Sequence, residues 1–160
     1  MTDNWIKLAD VTPKQVTPMV RQFMEAKALA PDSLLFFRMG DFYELFFEDA
    51  VEAAEILGLS LTARDSADKA ARIPMAGVPV RAVDNYIAKA IKLGRTISIC
   101  EQMEDPKSVK GIVKREIVRT VTQGTIMEPE LLDESANNYL GAITANHTVG
   151  GLSFIDVSTG

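Results

Sequence analysis

Two side chains offer recognisable chemistry: Phe42 and Glu44, inside the run Gly40-Asp41-Phe42-Tyr43-Glu44-Leu45-Phe46. In an extended chain, residues two apart point to the same side, roughly 7 Å from one another. A flat apolar ring beside one carboxylate has the means to enter a base stack and to read a base edge by hydrogen bonding. The same spacing also describes a hydrophobic hairpin, with Phe42 and Phe46 in the core and Glu44 at an edge, because aromatic residues form strands and usually bury. On spacing alone both readings stand.

Either way, the surrounding elements must present the pair. Leu34 to Met39 reads as an apolar strand that turns at Gly40-Asp41 into a Phe42–Phe47 segment. Upstream, Thr17-Pro18 starts a helix with a capping hydroxyl and a first-turn proline. Met19, Val20, Phe23, Met24 and Lys27 keep helical spacing to about Ala30, and Pro31-Asp32 ends it. Asp49 to Leu57 reads as a helix closed by Gly58, and Leu59 to Thr62 as a strand. Ile73-Pro74-Met75-Ala76-Gly77-Val78-Pro79 is too proline-rich for a central strand. Val83 to Leu93 is an amphipathic helix closed by Gly94. Thr96 to Cys100 and Ile112 to Thr122 read as strands, the second alternating basic and apolar residues.

Strands outnumber the crossovers that helices provide, so the expected fold class is α/β of the α+β kind, a mixed sheet flanked by helices. Residues 1–16 lack periodicity and read as a flexible tail in which Trp5 is the candidate anchor. The acidic stretch Gln123 to Ser135, with Pro129, reads as a connector. Tyr139 to Ala145 and Gly151 to Val157, separated by Asn146 to Gly150, then form a β-hairpin signature. A lone hairpin is marginal in water. The chain is therefore expected to be part of a longer protein: a tail over 1–16, one domain over 17–122, a linker over 123–137 and the truncated start of a second domain over 138–160.

Composition narrows the function classes. With 47% hydrophobic and 24% charged residues, the chain is an ordinary globular sequence. One cysteine, Cys100, points to a reducing compartment, and no apolar run is long enough to span a bilayer. The expected location is the cytoplasm, with no membrane partner. His147 and Cys100 lie too far apart in sequence for a structural zinc site, so no metal is expected. A net charge of −5 counts against a simple nucleic-acid binder. Basic residues nevertheless cluster. Arg64, Lys69 and Arg72 form a loop suited either to a sugar-phosphate backbone or to solvent. Lys107, Lys110, Arg115 and Arg119 suit a solvated strand face better than a phosphate site.

Met39 and Met75 are candidate neighbours of an inserted ring, although buried methionine is the commoner use; Asp41, beside the ring in the turn, belongs to the same set. A carboxylate-metal nuclease built on Asp41, Glu44, Glu101 and Glu104 is a competing reading. A protein-interaction module using the Phe42 aromatics is another. No P-loop occurs, and no catalytic residue is assigned.

Several ordered blocks resemble the amino-terminal domain of the MutS family of DNA mismatch repair proteins. The first is Phe36-Phe37-Arg38-Met39-Gly40-Asp41-Phe42-Tyr43-Glu44-Leu45-Phe46. Ile73 to Pro79, Ile99-Cys100-Glu101-Gln102-Met103-Glu104-Asp105-Pro106 and Val118-Arg119-Thr120-Val121-Thr122 follow in register. Asn137-Asn138-Tyr139-Leu140 and Asp156-Val157-Ser158-Thr159-Gly160 resemble the start of the family's connector domain. The sequence departs from the family at Gln123, where proline is usual, and at Arg81, where histidine is frequent.

The resemblance implies that Phe42 wedges into duplex DNA from the minor groove at a mispaired or unpaired base, and that Glu44 hydrogen-bonds the displaced base. It implies a binding fragment rather than an enzyme. The longer family members are expected to carry an ATPase using ATP and Mg, to form homodimers and to engage a MutL-type partner.

Overall fold

The computed structural model describes residues 5–11, 16–65, 72–125, 137 and 139–157. Helix α1 (Pro18–Leu29) begins where its cap predicts: Thr17 Oγ1 accepts from the Val20 N–H at 3.4 Å, and Pro18 fills the first helical position. After it come β1 (Leu34–Met39), β2 (Phe42–Phe46) and α2 (Phe47–Leu57), then β3 (Thr62–Asp65) and β4 (Arg72–Pro79). Helix α3 (Val83–Lys92), β5 (Ile97–Gln102) and β6 (Arg115–Val121) complete the sheet-bearing part; β7 (Tyr139–Ala145) and β8 (Gly150–Asp156) form a separate hairpin.

Six strands lie in the order β3-β4-β2-β1-β5-β6. β1 and β5 run parallel and every other neighbouring pair antiparallel, which is the mixed sheet the sequence predicts. Helices α2 and α3 cover one face, burying Phe36, Leu45, Val78 and Ile97 against Ala50, Ala53, Ile87 and Ile91. Helix α1 covers part of the other face through Val20 and Phe23, over Leu35, Phe37, Phe46 and Cys100.

The passage from β2 to α2 is made by Phe47 at φ 55°, a left-handed conformation that is strained for a bulky residue. Alternation would send Phe47 to the face opposite Phe46. The left-handed residue brings both rings into the α1 cluster instead.

Asp49 then ties three elements together. Its carboxylate takes Lys27 Nζ of α1 at 2.8 Å and the Leu35 N–H of β1 at 3.0 Å. Burial pushes this carboxyl up, while Lys27 and the Leu35 N–H pull it back.

Three expectations differ from the structure. Leu59 to Thr62 is not a strand; Gly58 closes α2 in the left-handed region, and Leu59 and Leu61 pack against the core before β3 begins at Thr62. The run Ile73 to Pro79 does lie inside the sheet, between β3 and β2. Each proline sits where one ladder ends: Pro74 pairs with Ala63 in β3–β4 but lies one residue beyond the last β2–β4 pair, Phe46–Met75, and Pro79 is the terminal pair opposite Phe42. A missing N–H disrupts least at such positions. Trp5 to Val11, expected as part of a tail, lies against the domain. Trp5 bridges to Arg72, Leu8 N–H donates to the Glu48 carboxylate, and Ile6, Leu8 and Val11 join the α1 cluster.

The Lys27–Asp49 pair is largely shielded from water. Removing the cation from a buried carboxylate typically costs about 3–5 kcal/mol. Lys27→Ala is expected to lower the free energy of urea unfolding by that order, with the loss shared between α1 and the rest of the sheet in a single cooperative transition.

Candidate nucleic-acid interface

Strand β2 leaves the core as it runs toward the hairpin. Phe46, Glu44 and Phe42 share one face by alternation. Phe46 is fully buried beneath Phe23, Glu44 is half-buried, and Phe42 is 47% exposed. The gradient arises because α1 covers only the Phe46 end of that face.

The two-residue turn at Gly40-Asp41 joins β1 to β2. Gly40 sits at φ 60° in its first central position while Asp41 stays in the ordinary region, the pattern of a type II′ hairpin that only glycine enters without strain. The turn is pinned by Arg38 Nε donating to the Gly40 carbonyl at 2.5 Å and by the Gly40 N–H donating to Gln102 Oε1 at 3.3 Å. Arg38 also stacks over the Tyr43 ring and pairs with Glu101 at 3.6 Å, and Tyr43 donates its hydroxyl hydrogen bond to Glu101. Asp41 lines a surface groove with Phe42, Pro79, Val80, Arg81 and Arg38.

The Phe42 ring lies over Gly77 of β4. A Cβ at that glycine would meet Phe42 Cδ1 at 3.7 Å, so the bare backbone gives the ring a flat bed without gripping it. Gly77 is the register partner of Glu44, whose Oε2 pairs with Arg64 Nη1 at 3.3 Å. Burial pushes the Glu44 carboxyl above its ordinary range, and the nearby Arg64 and Arg115 charges pull it partly back. A carboxyl so placed gives up its proton less readily than one in water; protonated it can donate a hydrogen bond, and ionised it only accepts.

The structure thus brings Met39, Phe42, Glu44, Arg64 and Met75 onto one face. Met39 is Phe42's register partner, and both methionines pack partly against the α1 cluster. Arg72 lies apart, at the start of β4 and seven positions from Pro79, roughly 23 Å along the strand. Lys69 falls outside the described residues.

Gly77 and Arg115 are neighbours of the site that spacing does not single out. Gly77 carried a signal, a glycine two residues before the proline of a strand-like run, which marks a close approach. Arg115 carried a misleading one. The basic and apolar alternation reads as a solvated face, yet Arg115 is turned inward over the Phe37 ring, 5.0 Å from its centroid. The four carboxylates of the nuclease reading do not converge. Glu101 is held by Tyr43 and Arg38, Glu104 accepts from the Lys114 N–H at 2.9 Å, and no group of three possible metal ligands occurs among the described residues.

A family model, MutS domain I, matches residues 17–130. This chain belongs to that family. Its curated relatives include the DNA mismatch repair protein MutS of Desulforapulum autotrophicum, 49% identical over 150 residues, covering 94% of this chain and 17% of the relative. Those of Syntrophomonas wolfei (51% over 144 residues, 90% of this chain, 17% of the relative) and Staphylococcus epidermidis (51% over 145, 91% and 16%) are similar to the same degree. The chain spans about one-sixth of the length of the curated relatives it matches. Among the described residues, no helix is long and apolar enough to cross a membrane.

Glu44 makes a pH-dependent contribution to stability whose sign is fixed by its raised midpoint. Between the ordinary value of 4.5 and that midpoint, the folded protein holds a proton the unfolded chain has released. Stability therefore falls as pH rises through this window. Glu44→Gln is expected to remove that fall, so that urea midpoints of variant and parent converge in acid and separate toward neutrality, the variant being the more stable. Asp49, present in both, cancels from the difference.

Proposed function

We propose that this chain recognises mispaired or unpaired bases in duplex DNA, initiating mismatch repair, as the name of its relatives suggests. Phe42 enters the base stack from the minor groove, and Glu44 hydrogen-bonds the displaced base. The observation that carries this reading is the half-exposed Phe42 ring, on the open end of a strand whose other end is locked in the core, with the carboxyl of Glu44 directly behind it.

Wedging a side chain between bases costs a few kcal/mol of unstacking per step. Bending the flanking duplex adds on the order of 1–6 kcal/mol. A mispair has already lost part of its pairing and stacking, so the same wedge costs less there, and discrimination follows from deformability rather than from reading sequence. Glu44 fits this role because its surroundings already favour the neutral form and nearby phosphates favour it further. Protonated, it donates to a purine acceptor; ionised, it accepts from a base N–H. Asp41, Met39, Met75 and Arg64 frame the ring and carboxyl, and Arg72 and Lys69 are assigned to the sugar-phosphate backbone beyond.

On this reading residues 17–122 form the recognition domain, 123–137 a linker and 138–160 the start of a connector domain. The remainder of a protein of the relatives' length would supply the ATPase with its ATP and Mg, the homodimer interface and the surface for a MutL-type partner, working in the cytoplasm.

The test is an anisotropy titration of paired and mispaired oligonucleotides against the complete polypeptide that carries these residues. Phe42→Ala is expected to abolish the preference for the mispair while changing unfolding free energy by about 1 kcal/mol or less, since half the ring is already in water. Glu44→Gln is expected to keep binding but narrow the gap between the two duplexes. Retention of full preference by Phe42→Ala overturns the proposal.

A further inference from the structure

Arg115 reaches the recognition hairpin from a strand that is not its neighbour. β5 separates β6 from β1, and the Arg115 side chain crosses it to place its guanidinium over Phe37. It arrives on this face because of a β-bulge. Ile99 pairs with Arg119 and Cys100 with Ile117, so Val118 is an extra residue and the facing of β6 reverses beyond it. Arg115 Nε donates to the Arg38 carbonyl at 2.7 Å, Nη2 to Met39 Sδ at 3.2 Å, and Nη1 to Gln22 Oε1 of α1 and to the Val113 carbonyl, both at 3.0 Å.

We propose that Arg115 is a positioning residue of the Phe42–Glu44 site: it clamps the base of the β1–β2 hairpin from within the domain and supplies, with Arg64, the positive charge that governs Glu44. The assignment rests on the reading of Phe42 and Glu44 as the base-contacting pair.

The clamp has a structural cause. The β1–β5 ladder ends at Phe37–Cys100, so the hairpin projects past its support on that side. Arg38 offers its carbonyl there, and the planar fork of arginine satisfies it while gripping Met39, the register partner of Phe42. A ring that must force apart stacked bases needs a stiff mounting; a hairpin that bends for less energy than unstacking lets the ring fold back. The charge acts separately. Arg64 from β3 and Arg115 from β6 face Glu44, while its register partners on β1 and β4, Phe37 and Gly77, are uncharged.

The experiment compares Arg115→Gln and Arg115→Lys with the parent chain. Its readouts are the carbon-13 titration of the Glu44 carboxyl, amide exchange across Met39–Phe42, and the mispaired-to-paired binding ratio as a function of pH. Arg115→Gln is expected to raise the Glu44 midpoint, to speed exchange at the hairpin and to cut the binding ratio several-fold. Arg115→Lys is expected to restore the midpoint, which needs only charge, but not the hairpin protection, which needs the fork. Should Arg115→Gln fail to fold, the Lys variant still decides the clamp: parental exchange at the hairpin overturns it. An unchanged midpoint and unchanged exchange in folded Arg115→Gln overturn the whole assignment. Phe42→Ala run alongside separates the two failures, because its retained preference would remove the parent reading instead.

Discussion

Phe23, set edge-on against both Phe37 and Phe46, divides the sheet into core and surface. The ring centroids lie 5.6 and 5.1 Å apart, within the range in which edge-to-face pairs add about 0.5–1.5 kcal/mol beyond their buried area. By seating α1 over the Phe46 end of β2, this cluster leaves the Phe42 end uncovered. A second helix alongside α1 would have buried the whole strand and closed the site. The exposed aromatic is thus a consequence of incomplete coverage, held open by firm packing immediately behind it.

The same region concentrates the domain's least comfortable groups. Phe47 is left-handed, Asp49 is a buried carboxylate, and Glu44 sits where its charge is disfavoured. Each is offset by something specific. Phe47 gains a place in the α1 cluster, and Asp49 gains Lys27 and a backbone N–H. Glu44 has a partly exposed arginine at 3.3 Å and the charge of Arg115 farther off. It is the weakest compensated of the three, which fits the role proposed for it toward a base.

Much of this was legible from local rules. The Thr17 cap, the Gly58 and Gly94 helix ends, the Gly40-Asp41 turn and the β7–β8 hairpin are all short-range features. Each is decided by a few residues whose backbone preferences agree with the final structure. The misplacements were of another kind. Leu59 and Leu61 are apolar because a connector packs on the core, and period alone cannot distinguish that from a strand. Pro74 and Pro79 argued against a central strand, but the argument holds only where both neighbouring ladders continue, and here one ends beside each proline. The inward turn of Arg115 depends on one unpaired residue, Val118, in a strand whose partner is only seen once the sheet is assembled. Register is a property of two strands, so no reading of one strand reveals a bulge.

Electrostatics constrain what such a face contributes. Of the arginines beside the ring, Arg38 is paired with Glu101 and Arg64 with Glu44, while Arg81 in the groove is exposed, and the chain as a whole carries −5. Nonspecific affinity for DNA comes from releasing counterions around phosphates, and an arginine already matched by a carboxylate has less charge to offer for that. Affinity and discrimination are separable quantities, since specificity is a difference between two binding free energies. A tip with strong phosphate attraction would hold paired and mispaired duplex alike and dilute the small deformation difference between them. On the proposed reading, the two paired arginines and the reluctant carboxyl suit a surface that contributes more to discrimination than to affinity.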